Sequence, residues 1–136
     1  MKRIRMPIML GILSLLILTA PLALASRAVP AAKMLFFYQD GCRWCAQMDK
    51  VLREPKMERL LYGHAQVFRI NIQGRARIPS LGRTGVDLAR KFKVYGTPTI
   101  IVVGRDEKVL LRIPGALSKE DFQEVVSQYV PGVGRK

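Results

Sequence analysis

Acidic residues are scarce in this sequence. Its 136 residues include 10 Asp and Glu against 23 Lys and Arg, so the formal net charge is +13 at pH 7. Cysteine is scarcer still, with two residues, and histidine occurs once. Two cysteines exclude a disulfide-dense miniprotein, and a hydrophobic share of 49% excludes collagen-like, low-complexity and fully disordered chains. The length fits one domain with an extension, large enough to bury a core.

The N-terminus has the pattern of an export signal. Three basic residues precede an apolar run at residues 8–18, Pro21 interrupts any helix, and small residues stand at Ala23 and Ala25. We predict a secretory signal peptide over residues 1–25, cleaved after Ala25, which leaves no stable membrane insertion. An uncleaved N-terminal anchor is the alternative, because residues 8–25 are at the short limit for crossing a bilayer. Either way, residues 26–136 act outside the cytoplasm, which in a bacterium means the periplasm or the outer face.

The rest of the chain alternates strand and helix patterns. Apolar runs and alternation predict strands at residues 34–39, 67–72, 99–103 and 109–113. Helical spacing predicts helices at residues 43–52, which Pro55 ends or kinks, at 86–92, and after Ser118, with Phe122, Val125, Val126 and Tyr129 on one face. The order β-α-β-α-β-β-α predicts an α/β fold with a central mixed four-stranded sheet flanked by helices. The first three strands fit parallel crossovers, and the last two form an antiparallel hairpin.

These elements give a simple domain organisation. A linker at residues 26–33 leads into a domain at 34–130, and a short tail follows at 131–136. Residues 73–85 form a long glycine- and proline-containing loop, which is functional or mobile. Met34, Met48 and Met57 are expected to fill the core, and His64 to be a loop residue without a catalytic role.

Cys42 and Cys45 lie between the first strand and the first helix. A thiol at a helix N-terminus faces free N–H groups and the positive end of the helix dipole, which favours the thiolate. Arg43 adds a positive charge beside it. Cys45 lies one turn further on the apolar face and is expected to be more buried. We therefore predict that Cys42 attacks a disulfide and that Cys45 resolves the mixed disulfide.

Three other uses of a cysteine pair are weaker. A structural disulfide would close a loop of only about four residues, worth roughly 2 kcal/mol. Zinc needs four ligands, and His64 is the only histidine. Covalent haem attachment needs histidine at position 46, where the sequence has Ala46. We therefore expect no metal and no organic cofactor, because the cysteine pair is itself the redox group.

Gly96-Thr97-Pro98-Thr99 precedes the third predicted strand, some 50 residues after the cysteines. With the strand-CxxC-helix order, the hairpin and the final helix, this resembles the thioredoxin superfamily. The resemblance implies a thioredoxin-like fold, with a cis proline that faces the cysteines. Thr97 and Pro98 would then line the substrate groove, the backbone of Thr97 pairing with an extended substrate. The tract through the third strand looks most like secreted bacterial thioredoxin-like proteins, including those associated with sulfur oxidation and the disulfide-reducing lipoproteins.

Four positions depart from the cytoplasmic thioredoxin pattern. Arg43 and Trp44 stand where that family has Gly-Pro, and we assign both to substrate contact, although Trp44 could instead pack over the helix start. Phe36 replaces a buried aspartate that helps deprotonate the resolving thiol. Arg69 replaces a lysine. Asp40 is expected to be exposed, so the identity of any general base is open.

The resemblance and the cysteine pair together predict a periplasmic thiol-disulfide oxidoreductase acting on protein disulfides and dithiols. Arg43 favours an oxidant and the resemblance favours a reductase; we expect the reducing direction, with a membrane protein recharging the pair. A thiol oxidase or isomerase, or a non-catalytic binding module or chaperone, is the alternative. The protein is expected to be a monomer.

Basic residues concentrate between Arg69 and Lys93, where seven bases accompany one acid. This surface could dock an acidic protein or an anionic lipid, or it could be solvated without a partner. Nucleic acid is not expected, because the domain is outside the cytoplasm and no aromatic residue lies between Arg69 and Arg90 to stack on bases.

Overall fold

The computed structural model describes residues 30–134. The predicted signal peptide, residues 1–25, lies outside this range. Ten elements follow one another along the chain: β1 (Ala32–Tyr38), α1 (Arg43–Arg53), α2 (Pro55–Leu61), β2 (Ala65–Asn71), β3 (Arg77–Ile78), β4 (Arg83–Thr84), α3 (Gly85–Lys91), β5 (Thr99–Gly104), β6 (Val109–Pro114) and α4 (Lys119–Tyr129). None of the helices in the described range is long and apolar enough to cross a membrane.

Four strands form one mixed sheet in the order β2-β1-β5-β6. β1 is parallel to β2 and antiparallel to β5, and β5 is antiparallel to β6. The helices flank this sheet, so the predicted α/β fold with a central mixed four-stranded sheet is confirmed. The structure adds a separate two-stranded hairpin of β3 and β4.

The direction of β5 differs from the sequence prediction. The expectation that the first three strands are joined by parallel crossovers is wrong for the third, because β5 runs antiparallel to β1. β2 ends at Asn71 opposite Tyr38, and β5 begins at Thr99 opposite Phe37, so the chain leaves and re-enters the sheet at the same end. Lys93 has a φ of 52° in the segment between α3 and β5. An apolar run predicts a buried strand but contains no information about its direction.

Helices cover both faces of the sheet. They bury the side chains of β1 and β5, which are apolar on both faces. Alternate residues of a strand point to opposite sides. Met34 and Phe36 therefore lie in a first core with α1, α2 and α4, whereas Leu35 and Phe37 lie in a second core with α3. The first core buries the methionines that the sequence predicts there, Met34, Met48 and Met57.

Two helix boundaries are set by the residues predicted to set them. α1 ends at Arg53, and Pro55 is the first residue of α2, where a missing N–H breaks no helical hydrogen bond. Ser118 caps α4, and its Oγ accepts a hydrogen bond from the Asp121 N–H at 3.1 Å. Both boundary predictions are confirmed.

The far end of α4 differs from the prediction. Tyr129 is 51% exposed, so its place on the buried face is wrong. Val130 and Val133, which follow the helix, fill the first core instead. The predicted tail at 131–136 therefore begins as part of the packed domain. Similarly, β1 begins at Ala32, inside the predicted linker at 26–33.

Residues 73–85 are more ordered in structure than the predicted loop. They contain the hairpin of β3 and β4, and Ile78 and Leu81 pack against the second core. Gly74 donates its N–H to the Asn71 carbonyl at 2.9 Å, and its own carbonyl accepts from the Val86 N–H at 3.1 Å. These bonds fix both ends of the segment beside β2.

Candidate functional site

The cysteine pair lies at the start of α1. Cys42 and Cys45 form a disulfide, and Cys42 is the N-cap residue of α1. The Sγ of Cys42 accepts a hydrogen bond from the Cys45 N–H at 3.1 Å. Cys42 is half-buried, whereas Cys45 is 4% exposed. The expected difference in burial between the two cysteines is confirmed, and Cys42 is the sulfur that solvent can reach.

A tight turn after β1 brings Cys42 to this position. β1 ends at Tyr38, and the Cys42 N–H reaches back to the Gln39 carbonyl at 3.4 Å. Gly41 has a φ of 75°, a conformation that favours glycine. Because β1 lies in the middle of the sheet, the cysteines stand at the end of a central strand rather than at the sheet margin.

Thr97 and Pro98 face the cysteine pair in space, although Thr97 lies 55 residues after Cys42 in the sequence. The Thr97 Oγ1 donates to the Cys42 Sγ at 3.7 Å, and the Thr97–Pro98 peptide bond is cis. The Gly115 N–H donates to the Pro98 carbonyl at 2.8 Å, which ties the loop to the end of β6. The pairing of β5 with β1 therefore brings together two motifs that are far apart in the sequence.

Arg43 and Trp44 form an exposed surface between the cysteines. The Trp44 side chain is 53% exposed, so it does not simply pack over the start of the helix. The Arg43 guanidinium carbon lies 5.1 Å from the Trp44 ring centroid, within cation–π range. Their assignment to substrate contact stays a prediction, although their position beside Cys42 suits it.

A cavity of about 470 Å³ lies beside the disulfide and is lined by both cysteines. Its charged wall includes Asp49, whose carboxylate accepts hydrogen bonds from the Nε groups of Arg53 and Arg69, each at 2.6 Å. Burial alone would raise the pKa of Asp49, but the hydrogen bonds and charges of the two arginines outweigh it and hold the pKa below its usual value. Asp49 is therefore ionised at neutral pH.

Asp49 and Arg53 are site residues that the sequence reasoning missed. Cys45, Asp49 and Arg53 are spaced four residues apart, which places them on one side of a helix. That spacing could have indicated an ionic group near the resolving cysteine. The pairing with Arg69 could not be read this way, because it depends on β2 lying near α1.

The departures from the thioredoxin pattern have clear structural positions. Phe36 is 2% exposed and belongs to the first core, so no carboxylate lies at this point of β1. Asp40 is exposed as expected, and it accepts a hydrogen bond from the Asn71 Nδ2 at 3.1 Å. The carboxylates that line the cavity are thus Asp40 and Asp49.

His64 takes no part in this site. It lies between α2 and β2, where its carbonyl accepts a hydrogen bond from the Ala32 N–H at 3.0 Å. Within residues 30–134, no group of three or more His, Cys, Asp or Glu side chains is placed to hold a metal ion. The redox-active group that the described residues offer is the Cys42–Cys45 disulfide.

Comparison with solved structures identifies similar folds. A thioredoxin from Thermus thermophilus shares 28% identity, with 71% of this chain and 72% of that chain covered and a TM-score of 0.57. A thioredoxin-fold protein from Helicobacter pylori shares 18% identity over 76% of this chain and 73% of that chain, with a TM-score of 0.60. A mutant thioredoxin from Halobacterium salinarum shares 18% identity over 75% of this chain and 77% of that chain, with a TM-score of 0.55.

A comparison with curated proteins found no significant match. The family described as Thioredoxin-like domain matches residues 24–129, which is most of the chain. This fold, with a cysteine pair joined at the start of α1, supports thiol-disulfide oxidoreduction in general. The chain belongs to the thioredoxin-like domain family.

Proposed function

We propose that this protein is an exported thiol-disulfide oxidoreductase that reduces protein disulfides through Cys42. One observation carries the proposal. The Cys42 Sγ caps α1, accepts the Cys45 N–H at 3.1 Å and lies 3.7 Å from the Thr97 hydroxyl. Donors and a helix dipole that face a sulfur stabilise its thiolate, and the thiolate is the form that attacks a disulfide.

The reaction transfers two electrons to the substrate in two exchanges. In the reduced protein, the Cys42 thiolate attacks one sulfur of the substrate disulfide. A mixed disulfide forms, and the other substrate sulfur leaves as a thiolate and takes up a proton. The deprotonated Cys45 sulfur then attacks the Cys42 Sγ, which forms the Cys42–Cys45 disulfide and releases the second substrate thiolate. Since Cys45 is buried one turn behind Cys42, it is placed for this second step rather than the first.

The substrate segment is proposed to lie over Trp44, Thr97 and Pro98. Within residues 30–134, the main-chain N–H and carbonyl of Thr97 make no main-chain hydrogen bond, so both can pair with an extended substrate. Trp44 offers an exposed aromatic face, and Arg43 stacks against it. This surface binds the main chain of a polypeptide, which suits protein substrates of varied sequence.

The proposed location and direction come from the sequence. The export pattern in residues 1–25 supports the periplasm or another compartment outside the cytoplasm. The resemblance to secreted reducing proteins supports a reductase, and a membrane protein with its own dithiol would recharge the pair. A measured reduction potential of the Cys42–Cys45 pair below that of the compartment would support a reductase. A potential above that of the compartment would indicate an oxidase instead.

The experiment is turnover of insulin disulfides with dithiothreitol as the electron source, compared among wild type, Cys42→Ser and Cys45→Ser. We expect turnover to fall to the uncatalysed rate in both variants, since each removes one of the two exchanges. Arg59→Gln, which removes an exposed charge on α2, serves as the control and should retain the wild-type rate. A wild-type rate no faster than the uncatalysed reaction would instead favour a binding module or chaperone.

A further inference from the structure

A second groove adjoins the active-site loop, which is the segment at residues 96–98 that carries Thr97 and Pro98. It has a volume of about 320 Å³ and is formed by residues 93–99 together with Arg112, Pro114 and Gly115. Thr97 is common to this groove and to the contact with the Cys42 Sγ. A substrate sulfur bonded to Cys42 would therefore lie beside Thr97, which also lines the groove.

The charge of this groove has one sign. Its charged lining residues are Lys93 and Arg112, and no acid lines it. Arg112 donates from Nη2 to the Phe92 carbonyl at 2.6 Å, a neutral acceptor that leaves its charge uncompensated. Lys93 is exposed and forms no ion pair within the described residues. The first cavity is different, because Asp40 and Asp49 stand among its arginines.

Two bases of the stretch between Arg69 and Lys93 have acidic partners. Arg69 is paired with Asp49 at 2.6 Å, and Lys91 with Glu107 at 2.9 Å. Both bases therefore have an acidic partner in the folded protein, although Arg69 shares Asp49 with Arg53. Lys93 retains its charge and stands two residues before Tyr95, which is 91% exposed and lines the same groove.

We propose that this groove binds an acidic segment of the protein substrate, with Asp or Glu two to four residues from the reactive cysteine. An extended chain advances about 3.3 Å per residue, so this spacing covers about 7–13 Å from the substrate sulfur. Opposite charges favour such a segment, and like charges disfavour a basic one. The proposal rests on the proposed function, because it places the segment relative to a substrate sulfur at Cys42.

The test uses three disulfide-bonded peptides that carry Glu-Glu, Gln-Gln or Lys-Lys at the second and third residues from one cysteine. The quantity measured is kcat/KM for peptide reduction by the full protein. We expect the acidic peptide to exceed the neutral one by about threefold or more at low salt, and the basic peptide to be slowest. The ratio should shrink in high salt, because exposed charges are screened.

Two variants link the preference to the groove. Lys93→Gln should reduce the ratio of acidic to neutral peptide, and Lys93→Glu should reverse the order of the acidic and basic peptides. A loss of folding cannot reverse an order of preference. Lys56→Gln removes the same charge from an exposed position on α2 and should leave the ratio unchanged.

Each outcome decides a different claim. Equal kcat/KM for the three peptides would overturn the acidic-segment proposal and leave the proposed function intact. An acidic preference that persists unchanged in Lys93→Glu would also overturn it, because the preference would arise elsewhere. Failure of the wild-type protein to reduce any disulfide, insulin included, would overturn the proposed function itself.

Discussion

At the scale of single residues, the half-buried carboxylate near the cysteine pair comes from α1 and not from β1. Phe36 fills the place of the buried acid in β1, whereas Asp49 brings a carboxylate to the cavity from α1. Asp49 accepts hydrogen bonds from Arg53 and Arg69, and its pKa is lowered. The lowered pKa keeps this carboxylate ionised at neutral pH as the partner of both arginines.

We predict that Asp49→Asn lowers the free energy of unfolding at pH 7 by about 1 kcal/mol, because Asp49 loses two charged hydrogen bonds. The folded-state pKa lies below the unfolded value, so the contribution of Asp49 is present above the unfolded pKa. It is lost as the pH falls through the folded pKa. Urea unfolding of the oxidised protein at pH 7 and at pH 2 measures this difference between variant and wild type.

The control is Asp106→Asn in the β5–β6 turn, where the Asp106 side chain is 56% exposed and pairs with Lys108. This variant should change stability by less than about 0.5 kcal/mol. A stability loss in Asp49→Asn that remains the same at pH 2 would mean that the loss comes from packing and not from the ion pairs.

The sequence predicted some of these residues and not others, for physical reasons. Cys42 and Cys45 were predictable because a local spacing places them at a helix start. The contact of Thr97 with Cys42 came only through a family resemblance. The Asp49–Arg69 pair joins residues 20 positions apart on different elements, and neither periodicity nor composition encodes that contact.

At the scale of elements, strongly periodic segments were predicted to within about two residues. β1, α1 and β5 belong to this group, because each follows its buried pattern without interruption. The β3–β4 hairpin was missed, since two-residue strands are too short to show alternation. The direction of β5 depends on where the chain re-enters the sheet, which the connecting segment decides.

Gly85 shows how a close backbone contact fixes one of these connections. It begins α3, is buried, and leaves no room for a side chain: a Cβ there would overlap the Asn71 carbonyl oxygen at the end of β2. Gly85→Ala should therefore force α3 away from β2 and lower the free energy of unfolding by about 1–3 kcal/mol. Thermal or urea unfolding measures the loss.

Gly96→Ala is the matched control, because a Cβ at Gly96 meets no atom within 4 Å. Its effect on stability should stay below about 0.5 kcal/mol. If Gly85→Ala proved as stable as wild type, α3 would not be held against β2 as the structure shows.

At the scale of the whole molecule, the excess basic residues fall into groups that differ in location and in acidic partners. The bases of residues 1–25 belong to the predicted export signal. Some bases of the domain have acidic partners, such as Arg69 and Lys91. Lys93 and Arg112 stand beside the active-site loop without a facing acid in their groove. In our proposal, the charge of these last two residues selects the substrates of a redox protein.

The central claim is that Cys42 forms a covalent intermediate with the substrate. The direct measurement is intact mass spectrometry, under non-reducing conditions, of reduced Cys45→Ser and Cys42→Ser after mixing with insulin. We predict that Cys45→Ser gains the mass of one insulin molecule, with the bond mapped to Cys42, while Cys42→Ser gains none. An adduct on Cys45 in Cys42→Ser, or no adduct on either variant, would contradict the account.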